Sequence, residues 1–523
     1  MSATYDVIVA GSGHNGLIVG AYLAKAGKNV LILEKNPWFG GGTATREIAA
    51  PGYRHDLHSS GHAGIQSNPL LKNDELGLLS KYGLKYIYPD SSFSTVFEDG
   101  SSLVCHHDLD RTCESIAQIS APDAEAYRKV SKASMELLPL MAQSMFVPPA
   151  SLGGFTAMMD QSPQGQDLLQ TMLRSPLDIV NQYFRSDKLK VHLLRFVAET
   201  FIHPEEKGCG MGVFGLLGLM HKGKAGIAQG GSGALAEALV RCLKAYGADL
   251  RTNSEVTKVL VEAGKAVGVQ LKDGESLRAK SCVVGQFHPW VLPNLVDGLD
   301  ERLVRNAKRT TVASVTCTVG HYALKAAPAY ILGGTAGDAP LVSFASSSLA
   351  EFRRVFHAIA DNEIPASPMI SVHNNARFDP SRAPAGGATL TSWRLVPFEL
   401  RGTTWDAIKD KVEQDTLGIL RRYISNLTPD NIVGQAFETP LDMYRYSPTF
   451  QRGDVTGISK NFYQLNGHRP TPELSQYAVP GVQGLYLAGI FMHPGGAGVS
   501  GGGRATAIKI FEDLKMDFDK VTQ

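Results

Sequence analysis

Three glycines, Gly11, Gly13 and Gly16, and an acid, Glu34, form the first arrangement in this sequence that could do chemistry. Residues 5–34 read YDVIVAGSGHNGLIVGAYLAKAGKNVLILE. Val7 to Ala10 is a short apolar run that predicts a buried strand. Leu17, Ala21, Leu23 and Ala24 then recur at helical spacing up to Gly27, and Val30 to Leu33 predicts a second buried strand. Set between strand and helix, Gly11 permits the tight turn, Gly13 lets the backbone approach a pyrophosphate, and Gly16 lets helix and strand pack closely. The helix N-terminus adds amide donors and a partial positive charge. Glu34, ending the second strand, is expected to accept from both hydroxyls of an adenosine ribose and to repel a 2′-phosphate.

The residues after this acid separate a nicotinamide dinucleotide from FAD. Residues 37–64, PWFGGGTATREIAAPGYRHDLHSSGHAG, bring a second glycine cluster and an extended, polar, His-rich stretch. A nicotinamide dehydrogenase would continue there with regular strand and helix alternation. Glycines 40–42 suit a backbone lying along the rest of an FAD, with Arg46 expected near the diphosphate or the flavin. The carboxyl end, GVQGLYLAGIFMHPGGAGVSGGGRATAIKIFEDL, supplies the matching half. Leu485 to Leu487 reads as a strand, Gly489 opens a loop, and glycines up to Gly503 lead into a helix from about Arg504. That helix start would stabilise the negative charge a reduced flavin ring develops. His55, His58 and His62 cluster in extended chain, and no metal site, catalytic triad or carboxylate pair is expected.

The strings GSGHNGL, FGGGTATRE, PGYRHDLHSSGH, GGSGALAEALVRCLKAYGADLRTNSEVTKVL and GLYLAGIFMHPGGAGVSGGGRATA, in this order, resemble the phytoene-desaturase superfamily of FAD oxidoreductases, in particular its phytoene-dehydrogenase-related members. The resemblance covers both ends and the centre. It implies an α/β fold: a Rossmann-like FAD-binding domain with an inserted antiparallel sheet, plus a mixed α+β substrate domain with a helical insertion. The cofactor-binding residues expected are Gly11, Gly13, His14, Asn15, Gly16, Glu34, Lys35, Gly41, Gly42, Thr43, Arg46, Val256, Gly489, Gly498 and Val499. Of these, the resemblance gives Val256 a backbone contact to the adenine. His493 falls where the superfamily places residues over the isoalloxazine. His288, in GQFHP where many relatives carry an SNADP-like string, stands near the exit of the flavin domain. These two histidines are the expected catalytic positions.

The elements that must position these residues emerge from the same reading. Gly231 to Tyr246 predicts a helix capped by Gly247, followed by strands near 249–252, 255–262, 266–272 and 276–284 joined by the turn strings EAGK and KDGE. No apolar strand precedes GGSGALA, so a separate NAD(P) domain is not expected. The FAD-binding domain is assigned to 1–75, 228–292 and 478–523, and the substrate domain to 76–227 and 293–477, helical from about 122 to 220. STVFEDGSSLVC predicts a hairpin around Asp99 and Gly100. Met135, Met141, Met145, Met158, Met159 and Met172 are expected to form a substrate channel or a membrane-touching lid, with FVPPASLGGF at 146–155 as a mobile loop.

Composition sets the outer bounds. Lys+Arg 51 against Asp+Glu 50 leaves a net charge of +1, with no basic excess to neutralise a phosphate backbone, so nucleic acid is excluded as a partner. Glycine is in excess, 54 of 523 residues against the usual share of about 7%. Six dispersed cysteines without a CxxC predict buried thiols. The N-terminus lacks a signal-peptide pattern and no apolar run reaches spanning length, which predicts a cytoplasmic protein and leaves peripheral membrane association open. The expected activity is that of an FAD-dependent oxidoreductase acting on CH-CH groups. It would form or saturate a C=C bond in an apolar or semi-polar, polyene- or acyl-like small molecule, by hydride transfer through flavin N5. Two other readings remain: a reduced-flavin-dependent isomerase or hydratase without net redox turnover, and a non-enzymatic FAD-stabilised interaction protein.

Overall fold

The computed structural model describes residues 4–367, 369–495 and 500–523. Its first sheet begins with strand β1 (Thr4–Ala10), which pairs in parallel with β2 (Val30–Leu33) across helix α1 (His14–Lys25). The seven strands run Val256–Glu262, Lys265–Leu271, Ser276–Gly285, β1, β2 and Asp249–Arg251, with Leu485–Leu487 added beside Ser276–Gly285. Ser276–Gly285 serves three ladders. On one side it runs parallel to β1 from Arg278 to Gly285; on the other its start is antiparallel to Lys265–Leu271 and its end parallel to Leu485–Leu487. One strand thus carries the antiparallel insertion into the parallel sheet.

Every residue of α1 from His14 to Ala24 is buried, as a helix covered on all sides requires. The helices Gly233–Ala245 and Gly501–Asp513 flank it. Small residues set these distances. A Cβ on Gly20 would come within 2.6 Å of Ile32 Cδ1, and one on Gly503 within 2.7 Å of the Asn15 carbonyl oxygen. The carboxyl-terminal helix starts at Gly501, before the expected Arg504, so its first glycines serve close packing between helices.

The second seven-stranded sheet runs Ile432–Glu438, Thr316–Leu324, Ala388–Val396, Ile370–His373, Leu341–Ala345, Ser91–Phe97 and Ser102–His106. The last two strands are the expected hairpin. Thr316–Leu324 and Ala388–Val396 are buried along their whole length, because one face packs on the helical insertion and the other on the helix Trp405–Leu420. Alternate residues of these strands therefore see different surroundings.

The insertion contains seven helices between Leu109 and Lys222. Ser120, Ser151, Ser162 and Ser175 each accept a backbone N–H of a following first turn, the usual answer to unpaired helix-start donors. Pro139 lies inside Ala121–Met145 and removes the donor that would reach the Met135 carbonyl. Lys222 Nζ takes its place at 3.0 Å. The stretch expected as a mobile loop is tied down instead. His493 Nε2 donates to the Ser144 carbonyl at 2.8 Å, Arg504 Nη1 to Phe146 at 3.1 Å and Gln476 Nε2 to Pro149 at 2.9 Å. Helix Leu152–Met159 already occupies its second half.

The methionines do not form one surface. Met159 and Met172 are buried, Met135 and Met145 half-buried, and Met158 is 52% exposed. The Met141 side chain, Gly498 and Val499 lie outside the described residues. No helix among the described residues is long and apolar enough to cross a membrane.

Candidate cofactor and substrate site

A cavity of about 360 Å³ runs along the carboxyl ends of β1 and β2, where open α/β sheets bind their ligands. One end is walled by Glu34, Lys35, Glu255 and Val256, the middle by Gly11, Gly13, His14 and Gly41 to Thr43, and the other end by His58, Phe450, Val455 and Ile490. The order suits adenosine, diphosphate and flavin ring in turn.

The adenosine end is built on Glu34, which is 5% exposed. Its Oε2 accepts from Ser12 N at 3.0 Å and Ser12 Oγ at 2.6 Å, and its Oε1 from Asn36 N at 2.9 Å and Asn36 Nδ2 at 3.0 Å. Four donors fill the carboxylate, so ribose hydroxyls must replace the Ser12 hydroxyl or the Asn36 amide. Val256 opens the antiparallel insertion, and the chain before it is fixed by Ser254 N donating to the Glu34 carbonyl at 2.7 Å. Lys35 also lines the cavity. Burial lowers its pKa, against the pull of Glu255 and Glu34.

At the diphosphate position α1 begins with no side-chain cap and no acid in its first turn, which leaves its amide donors to an anion. The glycine loop is cradled from two sides. Gly40 N donates to the Ser12 carbonyl at 3.1 Å, and a Cβ on Gly41 would stand 2.9 Å from Gly13 Cα. Beneath, Gln286 Nε2 donates to the carbonyls of Gly11 at 2.7 Å and Gly13 at 3.2 Å. A Cβ on Gly16 would fall 2.3 Å from that same nitrogen. No local pattern marks Gln286 for this role, because its partners lie 275 residues away at Gly11 and 273 at Gly13. His14 is buried in this wall and burial lowers its pKa to about 4, so it stays neutral. Asn15 does not line the cavity: its Oδ1 accepts from Gly503 N at 2.8 Å and locks α1 to the carboxyl-terminal helix. Thr43 Oγ1 donates to the Gly40 carbonyl at 2.7 Å.

Three expected positions are corrected. Arg46 is exposed and lies over the Trp38 ring at 4.2 Å, outside the cavity wall, because its guanidinium stacks on that indole face. His288 borders the cavity, but both its nitrogens are committed to backbone, Nε2 to the Gly457 carbonyl at 3.0 Å and Nδ1 to Trp290 N at 3.1 Å. Burial lowers its pKa to about 3, so it is a neutral structural residue. His493 lies outside the cavity and holds Ser144 through the bond already given. Gly489 packs on the Phe491 ring beside Ile490, which does line the cavity.

The flavin end brings His58, one of the clustered histidines, to a carboxylate that sequence order concealed. His58 is 3% exposed, and its Nε2 lies 3.4 Å from Glu438 Oε2. His321 Nε2 reaches the same oxygen at 3.5 Å, and the His55 ring stands edge-on to His321 at 5.3 Å. Burial alone would raise the Glu438 pKa, yet His58 and His321 hold it well below the usual carboxylate range. Neither nitrogen of His58 nor either of His55 makes a hydrogen bond among the described residues, and His58 Nε2 has only its 3.4 Å approach to Glu438. The clustered histidines of the sequence therefore do meet chemistry, through a glutamate and a histidine contributed by two strands of the second sheet. The only sequence signal for His321 was a polar residue at an inward position of the apolar strand TCTVGHYAL.

Comparison with known proteins agrees with this geometry. Residues 16–509 match the family described as flavin containing amine oxidoreductase. The chain is 27% identical to a limonene dehydrogenase subunit of Castellaniella defragrans, over 98% of this chain and 95% of that protein. It is 26% identical to the all-trans-zeta-carotene desaturase of Myxococcus xanthus, over 94% and 89%. Among solved structures, a putrescine oxidase redesigned at its cofactor-binding site superposes with a TM-score of 0.64 at 15% identity, covering 98% of this chain and 99% of that one. The chain belongs to the flavin containing amine oxidoreductases, within the superfamily that includes the phytoene desaturases, and its cofactor is FAD.

Proposed function

We propose that this flavin-dependent oxidoreductase removes two hydrogens from adjacent carbons of a largely apolar small molecule, forming a C=C bond. The observation that carries the reading is the make-up of the cavity's flavin end. Its walls include the apolar Phe450, Val455 and Ile490, and its titratable side chains include His58, which stands 3.4 Å from Glu438. The activities for which the limonene dehydrogenase subunit and the carotene desaturase are named support the same class.

FAD, when bound, supplies the two-electron hydride acceptor. The chain's own residues do the rest. Phe450 and Ile490 exclude water from the reacting carbons, which protects the hydride path. Loss of a hydride from one carbon leaves a proton to be taken from its neighbour, and His58 Nδ1 is the unpartnered acceptor at that place. Its other nitrogen faces Glu438, so the imidazolium formed meets an anion already in position. His321 shares that anion and fixes the carboxylate. Saturation of a C=C bond would use the same groups in reverse, with His58 giving the proton.

We also read the exposed Val147, Met158 and Leu173 on the helical insertion as an apolar contact surface for a membrane that stores such substrates. The test of the central reading is flavin bleaching in anaerobic stopped flow against matched alkanes, alkenes and primary amines. Bleaching by a hydrocarbon skeleton, slowed at least about a hundredfold in His58→Asn, is expected. Bleaching by amines alone would overturn it.

A further inference from the structure

One face of the second sheet carries buried donors that no described residue satisfies. Trp393, on the central strand Ala388–Val396, is 7% exposed and its indole N–H has no partner. Its register neighbour Ser371 has an unpaired hydroxyl, and His373 stands edge-on to the Trp393 ring at 5.9 Å with Nε2 unpaired. From the helix Asp187–Ala198 comes Arg195, fully buried. Its Nη1 lies 2.6 Å from Glu199 Oε1, while Nε and Nη2 find no acceptor. The helix that carries Arg195 packs on this same face: its Leu194, Val197 and Ala198 share one apolar cluster with Cys317, Val319 and Trp393.

An indole N–H and a guanidinium donate and cannot accept. Left unanswered in a buried site they are costly, so an acceptor belongs between them. Charge selects its kind. Arg195 is already matched by Glu199, so an anion would add an unmatched buried charge. An uncharged carbonyl oxygen adds none.

We propose that Arg195, Trp393 and His373 form a subsite for a neutral carbonyl oxygen at the far end of an otherwise apolar substrate. Glu438, Val319 and Trp393 occupy one row on three adjacent strands, which sets Trp393 about 10 Å from Glu438. The carbonyl is thus an anchor, held away from the reacting carbons, that fixes which C–C bond reaches His58. Trp393, Arg195 and His373 are positioning residues in this scheme. The inference rests on the reading that the chain oxidises a carbon skeleton, and its test is a binding measurement independent of turnover.

Calorimetric titration of the FAD-loaded protein under anaerobic conditions, with decan-2-one, decane and decanoate as probes and flavin colour read in parallel, decides the matter. Decan-2-one is expected to bind at least about tenfold tighter than decane, which corresponds to about 1.4 kcal/mol, and decanoate no tighter than the ketone. Trp393→Phe keeps the ring and removes the donor. It should bring the ketone to within about twofold of decane with FAD content unchanged. Equal binding of ketone and decane by the unmodified protein would mean that the cluster holds only internal water and would overturn the proposal. So would tighter binding of decanoate, or a ketone preference that survives Trp393→Phe. Should Trp393→Phe not fold, the ranking in the unmodified protein and in His373→Leu decides in its place. A ketone preference with flavin that no probe bleaches would sink the oxidoreductase reading and leave the subsite; bleaching without a ketone preference would do the reverse.

Discussion

At the scale of single residues, the cofactor cradle depends on missing side chains and one amide. A Cβ on Gly13 would stand 2.6 Å from Gln286 Oε1, and one on Gly41 2.9 Å from Gly13 Cα, while Gln286 holds the loop's carbonyls from beneath. Gly13→Val is expected to strip the flavin. Gln286→Leu should weaken FAD retention about tenfold, the scale of two lost hydrogen bonds, as read by flavin fluorescence after dialysis; full FAD content in both variants would refute this account of the cradle. The glycines and Glu34 were legible because the strand, turn and helix that use them are contiguous in the chain. Gln286 was not, since 275 residues separate it from Gly11. His58 stood in view as part of a histidine run, but its partner Glu438 arrives from a strand with no motif of its own. Arg46 was misread because its stacking on the Trp38 ring decides where it lies, and sequence spacing does not reveal that.

At the scale of elements, the helical insertion is joined to the carboxyl-terminal segment by carbonyls at Ser144, Phe146 and Pro149, each answered by a side chain from the far end of the chain. This explains why a Pro-containing stretch with two glycines, which reads as a loose loop, is held in place. It also gives His493 a purpose other than chemistry. His493→Gln keeps a donor and should preserve activity, whereas His493→Leu should raise KM for long substrates by about tenfold with kcat and FAD content little changed. A kcat collapse in His493→Gln would instead point to direct participation at the flavin. The sequence showed that this region is helical and methionine-rich. It could not show the tethers, because backbone carbonyls leave no trace in residue types.

At the scale of the whole molecule, the two sheets are joined by a buried charge network. Arg382 donates to Asp56 at 2.6 Å, to Asp379 at 3.1 Å and to the Ala228 carbonyl at 3.1 Å. Burial would raise the Asp56 pKa, but Arg382 outweighs it and the net direction is down. Arg382→Met leaves two buried carboxylates uncompensated and is expected to destabilise the fold by about 3–5 kcal/mol, visible as a lowered Tm.

Buried histidines set the acid limit of the same fold. Burial lowers the pKa of His288 to about 3 and of His493 to about 4. Between the unfolded value near 6.5 and these folded values the unfolded chain binds more protons, so stability falls as pH drops through that window. Tm should hold steady above about pH 7 and decline from about pH 6 to 4; a flat profile over that range would mean these rings titrate normally. The α/β order, the antiparallel insertion and the cofactor were legible in the chain. The chemistry proposed for the substrate face was not, because residues from four strands and a helix compose it.

The central claim is that His58, set against Glu438, takes a proton as the substrate skeleton gives up a hydride. The measurement that tests it most directly is single-turnover flavin bleaching in anaerobic stopped flow, comparing the unmodified protein with His58→Asn and Glu438→Gln at equal FAD content and saturating substrate. The account predicts that His58→Asn slows bleaching by about 10²- to 10⁴-fold, that Glu438→Gln slows it by a smaller factor, and that both retain substrate affinity. Unchanged bleaching in His58→Asn, with FAD in place and substrate bound, would contradict it.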